Sequence, residues 1–284
     1  MAAPSEPPTP ANLRNDVTDE GVFEAVRDGY EAVYDALARS ATFSRIWRDN
    51  AYGGQFPEEF AHISFLTLPE ARRMLGLLGI GEGSVLVDLA CGAGGPGLWA
   101  AQQSGASLIG IDPAEAGLAA ARERARRAGL DRRSRFVQGT FEQTGLPNQC
   151  ADAIMTVEAF QYAPDKRAAL SELFRVLRPG CRLAVVCFEV DPALAKDLPI
   201  LGDDPVPGYR PLLVEAGYDV EVYEETPGWQ DRVYGVFQAV VDASDRLTVE
   251  MGERAAAGVI AEAMLTVAVR PYPRRILAVA RRPR

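Results

Sequence analysis

A short apolar run, Val85-Leu86-Val87, ends at Asp88 and leads into a glycine-rich turn, Gly92-Ala93-Gly94-Gly95-Pro96-Gly97, that opens a helix. Strand, glycine turn and helix in that order restrict the chain to folds in which bare backbone N–H groups face a ligand at a helix N-terminus. Glycine suits such a turn because a Cβ would collide with the bound molecule. Pro96 suits the first helical turn, where a missing N–H costs nothing. The turn therefore predicts a site for a small anionic or zwitterionic nucleoside-type ligand.

From residue 84 onward the pattern alternates. Apolar runs predict strands at 84–88, 107–111, 135–138, 152–157 and 182–188, with helices between them at about 97–104, 114–129 and 165–177. Each crossover is long enough for a right-handed βαβ unit. The runs do not alternate polar with apolar, as expected of a parallel sheet covered on both faces. Beyond Val190 the pattern gives a helix near 209–216, a strand at 218–224, a long helical region at about 230–268 and a last strand at 275–280. The connection of about 50 residues between the final two strands is long for such a sheet. It reads as an inserted helical cap, with a hairpin packed away from the sheet as the alternative.

The first 15 residues, rich in proline, read as a disordered tail. An amphipathic helix follows at about 19–39, carrying Val26, Tyr30, Val33, Tyr34 and Leu37 at helical spacing. Residues 41–67 crowd Phe43, Trp47, Tyr52, Phe56, Phe60 and Phe65 among Gly53, Gly54 and Pro57, which suits an irregular lid over a pocket. A helix from Pro69 to Leu78 is expected to end at Gly81–Gly83. The division is then a tail at 1–15, N-terminal helices and lid at 16–83, and a core at 84–284 that contains the cap.

A net charge of −9 argues against a nucleic-acid partner. The arginines between 122 and 135 fit a solvated helix face. Cys91, Cys150, Cys181 and Cys187 have no metal-site spacing, so no metal is expected. No apolar run approaches the roughly 20 residues that cross a bilayer. A cytoplasmic protein is expected, with a small-molecule substrate, no membrane partner and room for a homodimer.

Gly92, Gly94 and Gly97 match G-x-G-x-x-G, a weak dinucleotide signal by itself. Asp112, in Leu-Ile-Gly-Ile-Asp-Pro, suits a carboxylate that accepts from two ribose hydroxyls, and equally suits the cap of the following helix. Together with Phe136-Val-Gln-Gly-Thr140, Ala153-Ile-Met-Thr-Val-Glu158 and Arg175-Val-Leu-Arg-Pro-Gly180, these motifs closely resemble the class I S-adenosylmethionine-dependent methyltransferases over about 69–225.

The resemblance implies an α/β, Rossmann-like, doubly wound seven-stranded sheet, mainly parallel with an antiparallel last strand, under an N-terminal helical lid and the inserted cap. It implies S-adenosylmethionine as cofactor and methyl transfer to an O, N or C atom of a small organic molecule, with a secondary-metabolite intermediate expected. Some relatives instead use this fold and cofactor for cyclisation without methyl transfer. By the same resemblance Ala90, Cys91, Gly92 and Gly94 would line the methionine part, and Asp88 would order the loop or reach the amino group through water. Asp112 would take the ribose hydroxyls and Pro113 would lie against the adenine. Thr140 and Phe141 occupy the adenine-contacting place, and Val157 and Glu158 face the sulfonium. Three positions depart from the pattern. Thr140 stands where many relatives have Asp, Cys181 replaces a glycine, and Gln161-Tyr162 lies where many carry a histidine.

A sulfonium methyl is already activated, so the protein has mainly to align the acceptor and exclude water. An oxygen acceptor must also lose its proton. His62, the one histidine of the chain, is a candidate base or a structural histidine beneath the lid. Glu158 at the mouth of the fourth strand is another candidate, or else a cofactor contact or helix cap. Tyr162 can orient a substrate hydroxyl or simply pack. Trp47 and Tyr52 can close over the cofactor through cation–π attraction or belong to the core.

Overall fold

The computed structural model describes residues 19–37, 39–195 and 205–284; the tail expected at 1–15 lies outside them. The N-terminal part comprises α1 (Asp19–Leu37), α2 (Ala41–Trp47), a π-helical turn at Arg48–Tyr52, short 3₁₀ turns, and α3 (Leu68–Leu78). Then come β1 (Val85–Leu89), α4 (Gly95–Ser104), β2 (Ser107–Asp112), α5 (Glu115–Arg127), β3 (Ser134–Gln138), β4 (Ala151–Val157), α6 (Lys166–Val176) and β5 (Leu177–Glu189). The chain finishes with α7 (Pro192–Ala195), α8 (Arg210–Glu215), β6 (Asp219–Glu225), α9 (Trp229–Asp242), α10 (Ser244–Met251), α11 (Glu253–Val269) and β7 (Arg274–Arg281).

The seven strands form one sheet in the order β3-β2-β1-β4-β5-β7-β6. β1 to β5 run parallel, and β7 lies antiparallel between β5 and β6. Alternate residues of the central strands enter opposite layers. Leu86, Met155 and Val186 pack in the layer that includes α3, α4 and the cap, while Val87, Ile154 and Val185 face α6 and α8. The sheet winds outward in both directions from β1 and β4, which opens a crevice beyond their carboxyl ends, the ligand position in open α/β sheets.

Local rules set the boundaries. Thr67 and Glu70 form a reciprocal capping box at the start of α3, with a proline in the first turn. Gly79, at φ 65°, ends that helix; Gly81 and Gly83 lie beyond it. α4 begins at Gly95, two residues before the expected start, behind a left-handed Gly94. The region at 230–268 is three helices, broken at Ala243 and at Gly252 (φ 88°).

The aromatic segment at 41–67 is more regular than expected. Ser40 caps α2, and Glu250 of α10 holds that helix start by accepting from Ser40 Oγ, Thr42 N and Thr42 Oγ1 at 2.8–3.0 Å. Phe43, Trp47, Tyr52, Phe56, Phe60 and Phe65 are all buried. α1 and α2 pack against α9–α11, so the two ends of the chain build one helical layer over the crevice.

Arg275 of β7 is fully buried. Its Nε donates to Glu158 Oε1 at 2.7 Å, and Nη1 donates to Thr226 Oγ1 at 2.7 Å and Glu70 Oε1 at 3.2 Å. Glu70 also pairs with Arg232 of α9 at 2.6 Å. Removing one member of a buried pair strands the other charge, at a cost of about 3–5 kcal/mol. Arg275→Leu is therefore expected to lower unfolding free energy by about that amount in urea denaturation. Arg275→Lys, which keeps the charge but loses the planar fork, is expected to recover only part of it. A loss below about 1 kcal/mol for Arg275→Leu would contradict the assigned role.

Candidate active site

The crevice is one continuous cavity of about 1750 Å³. Its floor is made by the ends of β1 and β4, where Ala90 (φ 58°) and Glu158 (φ 53°) adopt left-handed backbone conformations that side-chain-bearing residues seldom take. Such strain gathers at functional sites. Asp88, Ala90, Cys91, Gly92, Asp112, Pro113, Thr140, Phe141, Val157, Glu158, Tyr162 and His62 all line this space. Gly94 does not. Its missing side chain lets the turn press on Ala121, Leu98 and Phe136, so its role is packing.

Asp112 Oδ2 accepts from Gly92 N at 2.8 Å and Oδ1 from Ala114 N at 2.9 Å. It thus ties the glycine turn to the start of α5, while each oxygen keeps a lone pair toward the cavity. Burial raises its pKa to about 6 despite those two N–H groups. Asp88 lies beneath the first turn of α4. A Cβ on Gly97 would come within 2.3 Å of its Oδ2, and that oxygen has no hydrogen-bond partner. Burial lifts the Asp88 pKa to about 8, with the Asp112 charge adding to the rise. Of the two readings for Asp88, this position supports ordering the loop.

Cys91 is buried, and its N–H donates to Ile111 O at 2.9 Å, pinning the turn to β2. Phe141 meets Phe160 edge-on at 5.5 Å and presents an apolar wall. Thr140 Oγ1 accepts from Gln143 N at 3.2 Å within its own turn. Trp47 stacks on Phe43 at 4.7 Å, with its indole N–H buried and unpartnered.

Two candidate bases require correction. His62 Nδ1 accepts the Ser64 N–H at 3.3 Å and lies 2.9 Å from Ser64 Oγ, which leaves the ring proton on Nε2. Its ring packs against Tyr52 and Phe56, and burial lowers its pKa to about 3. A neutral imidazole with its acceptor nitrogen engaged has no lone pair free for a substrate proton. Glu158 is likewise occupied: Oε1 is paired with Arg275, and Oε2 accepts from Phe65 N at 2.7 Å. It fixes the lid to the floor instead of acting as base. Tyr162 stays accessible, its hydroxyl 3.5 Å from Glu262 Oε1.

The structure adds residues that sequence reading did not assign to the site. Tyr34 of α1 presses its hydroxyl on the glycine turn so closely that a Cβ at Gly92 would lie 2.1 Å from it. Glu31 accepts from Ala116 N at 3.0 Å and anchors α1 on the start of α5. Helical spacing marked Tyr30 and Tyr34 only as an apolar face. Nothing local marked Glu262, Tyr272 or Arg275, which meet Tyr162 and Glu158 only through folding.

The donor set fits an adenosyl sulfonium cofactor. Asp112 has lone pairs for vicinal hydroxyls, Pro113 and Phe141 offer apolar surfaces for a base, and an unpartnered buried carboxyl oxygen lies beside an uncapped helix start.

Comparison with known proteins agrees. Residues 87–185 match the family model described as a methyltransferase domain. The chain is 29% identical over 167 residues to 27-O-demethylrifamycin SV methyltransferase of Amycolatopsis mediterranei, covering 59% of each chain. It is 36% identical over 103 residues to a sterol 24-C-methyltransferase of Aspergillus fumigatus, covering 36% of this chain and 27% of that one. The matches thus span less than two thirds of these relatives' lengths. The fold is similar to that of the (4+2)-cyclase SpnF, with a TM-score of 0.69, 18% identity, and coverage of 91% of this chain and 95% of the other. Residues 87–185 thus carry a methyltransferase domain, and in motifs, sheet order and these matches the chain is similar to the class I S-adenosylmethionine-dependent methyltransferases.

Proposed function

We propose that this chain transfers a methyl group from S-adenosylmethionine to a small, largely apolar organic molecule, a secondary-metabolite intermediate. One observation carries the reading: a single cavity joins the glycine turn and Asp112 at one end to an aromatic chamber at the other. Phe43, Trp47, Phe65, Phe188 and Phe237 line that chamber. Its apolar lining and the similarity to demethylrifamycin and sterol methyltransferases both favour a bulky acceptor over a small polar one. No helix of the described residues is long and apolar enough to cross a membrane. Four unpaired cysteines suit work in the reducing cytoplasm.

In this reading Asp112 accepts from the ribose hydroxyls, Pro113, Thr140 and Phe141 bound the adenine, and Ala90, Cys91, Gly92 and Val157 line the methionine portion. The bound cofactor supplies an electrophilic methyl. The chain supplies orientation and dryness: α1, α2 and the cap cover the crevice, and Tyr162 orients the acceptor. Preorganised alignment of this kind accounts for a large share of rate enhancement in bimolecular transfers.

S-adenosylhomocysteine at about 100 times its Kd is expected to add about 2.7 kcal/mol of stability, seen as a rise in Tm. Asp112→Ala is expected to weaken that binding about ten- to a hundredfold, since each lost hydrogen bond to a charged group contributes about 1.5–3 kcal/mol. Unchanged affinity would sink the cofactor assignment. Incubating the chain with methyl-labelled cofactor and a panel of polycyclic phenols, alcohols, amines and terpenoids is expected to give a labelled product. An unlabelled isomer of the substrate would instead establish cyclisation on the same fold.

A further inference from the structure

α11 is built almost entirely of small and apolar residues, yet Glu262 sits in its middle on the face shared by Ala255, Val259 and Thr266. Ala255, Val259 and Glu262 of that face line the cavity. A carboxyl in such a place loses hydration and needs a partner. Among the described residues the nearest is the Tyr162 hydroxyl at 3.5 Å, longer than an ordinary O–H···O bond. That hydroxyl is also engaged with Tyr30. Only burial and Tyr162 act on the acidity of Glu262, so no cation compensates it. Three phenol-bearing residues from three parts of the chain, Tyr30 of α1, Tyr162 after β4 and Tyr272 before β7, therefore gather near a carboxyl held by this one long hydrogen bond. Gln161 lines the same cavity, and its buried amide oxygen has no hydrogen-bond partner. The cluster is tied to the glycine turn, because the Tyr30 ring packs at a tilt 6.0 Å from Tyr34, whose hydroxyl presses on Gly92.

We propose that Glu262 is the proton acceptor of the reaction and that the substrate presents to it a hydroxyl, alcohol or phenol, as the methyl-accepting group. This rests on the methyl-transfer reading and names the acceptor it left open. The substrate O–H bond breaks, its proton goes to a Glu262 carboxylate oxygen, and the oxygen pair forms the new O–CH₃ bond. The methyl–sulfur bond breaks with its pair remaining on sulfur, which becomes neutral. Charge balances, and Glu262 afterwards returns the proton to water at the cavity mouth. Tyr162 and Tyr30 hold the acceptor oxygen by hydrogen bonding.

The pH dependence has a definite sign. Burial raises the Glu262 pKa to about 7, so its reactive carboxylate form is lost as pH falls below that value. Tyr30, Tyr162 and Tyr272 all shift upward and stay protonated throughout. On the neighbouring α9, Tyr234 also shifts upward and lies under the Arg270 guanidinium at 4.5 Å. The guanidinium-bearing Arg27 and Arg254 also line the cavity. Glu262 is thus the group of this cluster that titrates near neutrality.

The test uses the full chain saturated with S-adenosylhomocysteine and two probes that differ by the methyl group alone, 2-naphthol and 2-methoxynaphthalene. Calorimetry at pH 8 is expected to show naphthol bound at least tenfold more tightly than its methyl ether. That preference should shrink about tenfold at pH 6, as the carboxylate fraction falls. Glu262→Gln is expected to abolish both the preference and its pH dependence with S-adenosylhomocysteine affinity unchanged, and Glu262→Asp to restore part of each. Naphthol failing to bind, or binding wild type and Glu262→Gln alike, overturns the assignment. Failure of S-adenosylhomocysteine to bind the wild type would instead refute the cofactor reading and is scored separately. For any hydroxyl compound that turns over, Glu262→Gln should lower kcat at least tenfold.

Discussion

The buried pairing of Glu158 with Arg275 governs how the two halves of this molecule meet. Glu158 ends the central strand β4, Arg275 belongs to the antiparallel strand β7, and Glu70 and Arg232 extend the network to α3 and α9. The second carboxylate oxygen of Glu158 reaches the lid at Phe65 N. The network thus fastens sheet, lid and cap. Ionic groups seldom add net stability over an apolar core of equal volume, but once buried they tolerate few alternative arrangements. A guanidinium accepts partners only in the plane of its fork, and that directionality fixes where the cap sits relative to the strand ends. The left-handed backbone of Glu158 is held in place by the same contacts.

Electrostatics give the cavity a consistent character. Asp88, Asp112 and Glu262 all line it, and burial holds the pKa of each above the usual carboxylate range, at about 8, 6 and 7. A carboxyl raised in this way is destabilising in its charged form and favours an entering cation or hydrogen-bond donor. For the folded chain, stability from these groups is greatest at acid pH and falls as pH rises through their folded values. A sulfonium centre and a donor hydroxyl are the two kinds of ligand that reverse this penalty.

The sequence made one half of the site legible. β1, the glycine turn and the start of α4 lie within about 15 consecutive residues, so strand hydrophobicity, turn chemistry and helix start could be read together. Asp112 follows from the same reasoning one crossover later. The lid reads as irregular because Gly53, Gly54 and Pro57 interrupt its aromatic residues; Ser40 and the distant Glu250 stabilise α2 through its cap. His62 and Glu158 were plausible bases from residue type and strand position alone. The engagement of Glu158 is a tertiary property: Arg275 lies 117 positions away, and no local pattern reports such a distance; His62 is engaged locally, by Ser64 two residues on, and is buried only by the packing of the lid.

The same contrast explains why an acceptor is harder to read than a cofactor. Groups that hold an invariant cofactor can be carried by one continuous strand–turn–helix unit, whose geometry is set by short-range backbone rules. The acceptor chamber is walled by α1, α2, α9 and α11, which come from both ends of the chain and owe their position to packing and to the Arg275 network. Side chains such as Glu262 and Tyr272 can therefore change without disturbing the glycine turn, while any change in the turn touches every ligand the fold can bind. Specificity in this architecture is separable from cofactor binding because the two are encoded at different sequence ranges. Glu262 lies on the specificity side of that division and yet faces the reaction, which makes it the residue through which the cap can dictate chemistry as well as shape.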